Sequence, residues 1–197
     1  MNRRQDLLDA ALEAFSWDGF DGTPVSAIVG RAGLSKAAFT YHFATKDSLL
    51  IELASPLLDA LDAIADTPVP DFPDGVRTLL GRYFDALAAQ RRVAIWIDSD
   101  KSVLTHTVVG TRLAANNEKM RHLIAGSSRR DEQVAAAAVL GAIWRPVRNL
   151  TDVDITAHRS RILAAAMAAA GTARPVTGSP GPVGRRSETT KPQVTGL

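Results

Sequence analysis

At 197 residues, 46% of them hydrophobic, the chain is large and apolar enough to pack one core or a small domain beside a larger one. It has no cysteine, which excludes disulfide frameworks, thiolate zinc sites and cysteine nucleophiles, and no apolar run approaches the roughly 20 residues of a membrane span. The formal charge is only +2, and from Thr172 onward Arg174, Arg185, Arg186 and Lys191 stand against Glu188. Residues 1–171 are therefore slightly acidic, and the sequence pI near 9.2 argues nothing about nucleic acid.

The opening Met1-Asn2-Arg3-Arg4-Gln5-Asp6 leads into an amphipathic pattern rather than a signal peptide, so a cytoplasmic protein is expected. Leu8, Ala11, Leu12 and Phe15 follow the i, i+3, i+4, i+7 spacing of a helix from about Arg3 to Trp17, ended by Asp18-Gly19. Thr23-Pro24 reads as cap and first residue of a second helix that stops at Gly33. Ser35 caps a third, short helix through Phe43, and Thr45 caps a fourth that begins at Lys46 and carries Leu49, Leu50, Leu53, Leu57, Leu58 and Leu61. Three prolines make residues 66–75 a linker. Helices are predicted at about Val76–Ile97, Ser102–Ala125, Asp131–Asn149 and Asp154–Ala170, with Pro146 kinking or interrupting the third of these. Past Gly171 the composition turns to Pro, Gly, Thr, Ser and Arg, which predicts a disordered tail over 172–197. The predicted fold class is all-α: a helix-turn-helix domain over 1–47 and a helical ligand-binding and dimerisation domain over 48–171.

Short second and third helices separated by a tight turn at Gly33 form a helix-turn-helix. Val25, Ile28, Val29 and Ala32 can face inward, Leu34 plugs the turn, and Phe39 and Phe43 share one face of the third helix. Their burial turns Ala37, Ala38, Tyr41 and His42 outward, with Lys36 and Thr40 at the flanks, a surface suited to a major groove. Lys46, at a helix start, can hold a phosphate, and Arg3 and Arg4 can reach the DNA backbone. Spacing alone also allows a purely structural three-helix bundle in an interaction protein.

The residue pattern goes further. Ala10-Ala11-Leu12-Glu13-Ala14-Phe15 followed by Gly19-Phe20, then Gly22-Thr23, Ala32-Gly33-Leu34-Ser35-Lys36 and the run Ala38 to Leu49 (AFTYHFATKDSL) resemble the N-terminal domain of the tetracycline-repressor (TetR) family, over about a quarter of the chain. Two positions depart from that pattern: Thr40 stands where the family usually has tyrosine, and Val29 where it tends to have alanine. The resemblance implies a homodimeric repressor of double-stranded operator DNA, released by an unidentified small apolar or aromatic effector, with no cofactor, metal or catalytic residue. The candidate DNA-binding residues are Thr23, Ser26, Ser35, Lys36, Ala37, Ala38, Thr40, Tyr41, His42 and Lys46.

The larger domain offers Tyr83, Phe84, Leu87, Trp96, His106 and Trp144 as a candidate effector pocket, aromatics with one polar handle. His122 and His158 are expected on the surface. The last two helices are rich in alanine, at 135–138, 164–166 and 168–170. Small side chains permit close helix approach, and the resemblance implies that this pair meets its twin in a four-helix interface. One stretch reads differently: Val93–Ile97 as an apolar strand ending in Asp98-x-Asp100-x-Ser102 would suit a phosphotransferase. The alternating strands that such an enzyme needs do not follow, and Asp98 and Ser102 more simply cap the next helix.

Overall fold

Apolar residues at helical spacing build every element of the molecule. The computed structural model describes residues 2–173, and among these it holds ten α-helices, one 3₁₀ turn and no strand. Helix α1 spans Arg3–Gly22 and buries Leu7, Ala11, Phe15 and Phe20. It is broken at Gly19, whose φ of 73° and ψ of 165° lie in a region essentially reserved for glycine. The break leaves the Gly19 carbonyl without a helical donor, and Thr23 supplies one: its hydroxyl donates to that oxygen at 2.7 Å. Thr23 therefore belongs to the end of α1. Helix α2, Val25–Ala32, starts one residue later than the sequence predicts, behind Pro24, with no side-chain cap. Gly33 ends α2 in the left-handed conformation (φ 63°, ψ 30°), and Ser35 caps α3, Lys36–His42, by accepting from the Ala38 amide at 3.1 Å.

Helix α4, Lys46–Ala65, opens with a reciprocal capping box between Thr45 and Ser48. Leu49, Leu50, Leu53, Leu57, Leu58 and Leu61 are all buried, so one apolar stripe runs from the head, α1 to α3, into the body, the helices that follow α4. The linker ends at Asp74, where α5 begins (Asp74–Ala89). The single helix predicted over 76–97 is in fact two, because Gln90 (φ −113°, ψ 33°) separates α5 from α6, Arg91–Ser99. The physical reason is tertiary: the Arg91 guanidinium donates to the carbonyls of Val147 (2.8 Å), Leu150 (2.5 Å) and Val153 (3.1 Å), closing the C-terminal end of α9. Val93–Ile97 is thus helix rather than strand, which removes the strand-and-loop arrangement of a phosphotransferase. A second predicted helix also divides, into α7 (Lys101–Leu104) and α8 (Val109–Ala125), where His106 Nδ1 accepts from the amides of Val108 and Val109 at 3.3 Å. Asp100, not Asp98, caps α7.

Helix α9, Arg130–Asn149, continues through Pro146. The proline lies close enough to the end that its missing N–H costs one helical bond, and the Leu150 amide still reaches the Pro146 carbonyl at 3.2 Å. A 3₁₀ turn, Ile155–His158, leads into α10, Arg159–Ala173. The unstructured tail predicted from 172 onward lies outside the described residues apart from 172–173, which close α10. Among the described residues no helix is long and apolar enough to cross a membrane.

Candidate nucleic-acid interface

The third helix is held from below and offered above. Phe39 and Phe43 are buried with ring centroids 5.8 Å apart, and Ile28 and Val29 of α2 are buried in the same core. With that face committed, Lys36, Ala37, Thr40 and Tyr41 are exposed, and Ala38 and His42 are half-buried. Tyr41 is 85% exposed and meets the His42 ring edge-on at 5.0 Å. The Thr40 hydroxyl donates to the Lys36 carbonyl at 3.0 Å, which leaves its methyl and oxygen lone pairs outward. Asn2 and Arg3 join Ser35, Ala38, Tyr41 and His42 around an open depression beside this helix. Ser26 is exposed on α2.

Three cations or hydroxyls expected to face DNA are engaged within the protein instead, Arg4 while still exposed. Thr23 is fully buried (0% exposed). Arg4 pairs with Glu52 of α4 and lies over the Phe43 ring at 5.4 Å. Lys46 donates from Nζ to the carbonyls of Phe20 (2.7 Å) and Thr23 (3.1 Å), with the ammonium 4.3 Å from the Phe20 ring centroid. Its charge thus closes the end of α1, where free carbonyls gather, instead of projecting from the start of α4. Arg31 is exposed but paired with Glu13, whereas Arg3 and Lys36 are exposed and form no salt bridge among the described residues.

Phe20 is also where head meets body. Its amide donates to Asp100 Oδ2 at 2.6 Å, and the same carboxylate accepts from Trp96 Nε1 (3.2 Å), the Ser102 amide (3.0 Å) and the Ser102 hydroxyl (2.6 Å). Burial alone would raise the Asp100 pKa, but the hydrogen bonds from Ser102, Phe20 and Trp96 outweigh it and hold the carboxyl below its ordinary range. Trp96 stacks on Phe15 of α1 at 5.2 Å, and His106 lies edge-on to Phe20 at 6.1 Å with Nε2 3.9 Å from Asp47. Trp96 and His106, predicted to line an effector pocket, therefore belong to this joint. Trp17, nearby on α1, is 79% exposed and borders a shallow groove with Arg92 and Ser99 of α6.

The body holds a separate cavity of about 90 Å³ that Tyr83 and Leu87 of α5 and Trp144 of α9 do line. Asp98 of α6 and Asn117 of α8 complete its polar wall, and Leu57 and Leu61 of α4 its apolar one. Phe84 is fully buried in the core and does not line it. Sequence reading assigned Asp98 to a helix cap rather than to a cavity and passed over Asn117. The available signal was a polar residue interrupting the apolar face of Leu113 and Met120, and an aspartate one turn beyond Ala94. On its far side α4 is tied to α8 by Arg112, which bonds Asp59 and Asp62 (2.5 Å each), and by Lys119 with Asp66 (2.6 Å).

A short capped helix presenting a small, polar and aromatic face, packed across a glycine turn on the helix before it, defines a helix-turn-helix DNA-binding protein. Residues 7–53 match the family described as "Bacterial regulatory proteins, tetR family". The nicotine-responsive transcriptional repressor HdnoR of Paenarthrobacter nicotinovorans is 27% identical over 157 residues, 73% of this chain and 78% of that protein. Among solved structures, a TetR-like transcriptional regulator from Rhodococcus sp. RHA1 superposes with a TM-score of 0.58 at 23% identity, covering 83% of this chain and 93% of that one. The regulator FadR from Bacillus subtilis, in complex with stearoyl-CoA, gives 0.54 at 17% identity, covering 84% and 98%. Residues 7–53 thus carry a TetR-family DNA-binding domain, and the chain is similar over most of its length to a transcriptional repressor and shares the fold of TetR-like regulators.

Proposed function

We propose that this protein is a cytoplasmic repressor that binds a palindromic operator as a homodimer and is released by a small molecule. In this reading residues 1–47 engage DNA and residues 48–171 dimerise and bind the effector. The observation that carries it is the exposed face of α3, with Lys36, Ala37, Thr40, Tyr41 and the edge of His42 in reach of base edges and phosphates. Ser35 contributes through its cap, which fixes the direction of α3, and Ser26 and Arg3 supply backbone contacts.

Dimerisation is supported by α9 and α10, which pack on each other yet leave Val134, Ala137, Ala138, Ala164, Ala165 and Ala168 exposed. Val134 is 66% exposed, an apolar side chain left uncovered among the described residues. Two such helix pairs make a self-complementary interface around a two-fold axis. Symmetric heads then match half-sites one DNA turn apart, roughly 34–36 Å, or a multiple of it.

Release by an effector is supported by the body cavity, which touches α4 at Leu57 and Leu61. The names of two similar proteins point the same way: one is nicotine-responsive and another was solved with stearoyl-CoA. To weaken operator binding about 100-fold, an effector needs a differential affinity of roughly 2.7 kcal/mol for the non-DNA state, and operator must weaken the effector equally. Selection of the operator from random DNA, followed by mobility shift and sedimentation, tests the reading. A palindromic site bound by a dimer is expected; a monomer bound to an asymmetric site, or no selected sequence, overturns it.

A further inference from the structure

We infer that the body cavity selects small cationic amines over neutral or anionic molecules of the same shape, through Asp98, Tyr83 and Trp144. The inference deepens the effector reading above and rests on it for its regulatory meaning, though not for binding itself.

The cavity's lining carries one formal charge, the carboxylate of Asp98, and no cation. Arg148 engages only one side of that carboxylate, its Nε lying 3.0 Å from Asp98 Oδ2, so the other oxygen remains an acceptor. Tyr83 is only 7% exposed, yet its hydroxyl has no hydrogen-bond partner among the described residues. A phenol placed so deep among apolar neighbours ordinarily finds one, and here the space it faces is the cavity. Burial, and then the negative charge of Asp98, push its pKa far up, so it stays neutral and offers a ligand both a lone pair and a proton. The Asn117 side chain lines the same space and is also unpartnered among the described residues.

An ammonium group answers these features together. It donates to the free oxygen of Asp98 and to the Tyr83 oxygen, while the Tyr83 and Trp144 rings attract a cation through their π faces. A carboxylate of equal size meets the Asp98 charge at close range, and Arg148, the cation paired with Asp98, lies outside the lining and cannot face it. Arg148 neutralises part of the field, which sets the preference for ammonium over a neutral isostere at about tenfold rather than thousands. The cavity is smaller than the roughly 150 Å³ that accepts a benzene ring in a dry protein interior, so the group that enters is a short branched chain rather than an aromatic ring.

The test uses the full-length protein and three probes of one shape: isobutylammonium chloride, isobutanol and sodium isobutyrate, at constant ionic strength, with affinity read from thermal stabilisation. Isobutylammonium should bind about tenfold more tightly than isobutanol, and isobutyrate should not bind measurably. Asp98→Asn should erase the tenfold preference. Tyr83→Phe, which keeps the packing, should weaken the ammonium and the alcohol alike by several-fold and preserve their order. Isobutyrate binding as well as isobutylammonium, or an ammonium preference that survives Asp98→Asn, would overturn the inference. If Asp98→Asn lacks a cooperative melt, the order of the three probes on wild type and on Tyr83→Phe decides it. Isobutylammonium that binds with this selectivity but leaves the operator complex intact in mobility shift would refute release through this cavity while the amine site stands.

Discussion

The backbone amide of Phe20 donates to the carboxylate of Asp100 at 2.6 Å, joining the broken end of the first helix to the turn that follows α6. The bond spans the boundary between head and body, and the same carboxylate holds Trp96 and Ser102. Asp100→Ala leaves the Phe20 amide without its acceptor and should cost about 2–3 kcal/mol, the scale of hydrogen bonds to a charged group. Thermal melts read the total, and hydrogen exchange at the Phe20 amide reads the site. An unchanged exchange rate there would remove the joint from the account.

Acid should act on the same group. The folded pKa of Asp100 lies below the unfolded value of about 3.9, so its contribution is complete above that pH. It is lost as pH falls through the lowered folded value, because protonation must then break bonds that only the anion accepts. The acid limb of the stability curve should therefore be shallower in Asp100→Asn than in wild type. Parallel limbs would mean that Asp100 is not held in the anionic form by folding.

The two lysines of the head should part company. Lys36 is exposed, so Lys36→Ala should weaken DNA binding and lower the salt slope by about 0.9 for each phosphate that the lysine neutralises, with no change in melting. Lys46 holds the Phe20 and Thr23 carbonyls, so Lys46→Ala should destabilise by about 1.5–3 kcal/mol while the salt slope of whatever protein remains folded stays as it was. A salt slope that falls in Lys46→Ala with melting unaltered would reverse this assignment.

Gly19 and Gly33 both have positive φ but differ in ψ, 165° against 30°. The conformation at Gly33 is one that asparagine adopts readily, whereas that at Gly19 is open to glycine almost alone. Gly33→Asn should thus cost a few tenths of a kcal/mol and Gly19→Asn about 1–3 kcal/mol. Equal losses in urea titrations would show that the break at Gly19 relaxes.

Val134→Glu and Ala165→Glu, each placing two charges in a two-fold interface, should raise the dimer dissociation constant about 100-fold or more, as unpaired buried charges cost several kcal/mol. Sedimentation should find monomers with unchanged circular dichroism. Dimers that persist with both substitutions would place the interface elsewhere.

The head was readable from sequence to the extent that its structure is local. Ser35, Gly33, and the Phe39–Phe43 pair each encode their own conformation within one helical turn, and they hold as expected. Lys46 was misplaced for the opposite reason. Its neighbours in sequence describe a helix start, while its partners are carbonyls freed by a break at Gly19. The body shows the same division: Tyr83, Leu87 and Trp144 reach the cavity, but Trp96 is as aromatic as they are and is claimed by Phe15 instead. No periodicity distinguishes an indole that lines a space from one that stacks on a distant helix. Arg91, which divides two helices by gripping the end of a third, likewise leaves no mark on its own segment.

The chain's three tryptophans stand at three different stations: Trp17 in open solvent on the head, Trp96 sealed in the joint beside Asp100, and Trp144 at the rim of the cavity. Indole emission moves to longer wavelength with hydration, so the natural chain is already labelled at its surface, its hinge and its ligand space, in distinguishable colours. Three single Trp→Phe variants would assign each band to its address. A titration with amine or DNA could then be followed at all three without a dye, showing in what order a disturbance at the cavity reaches the head.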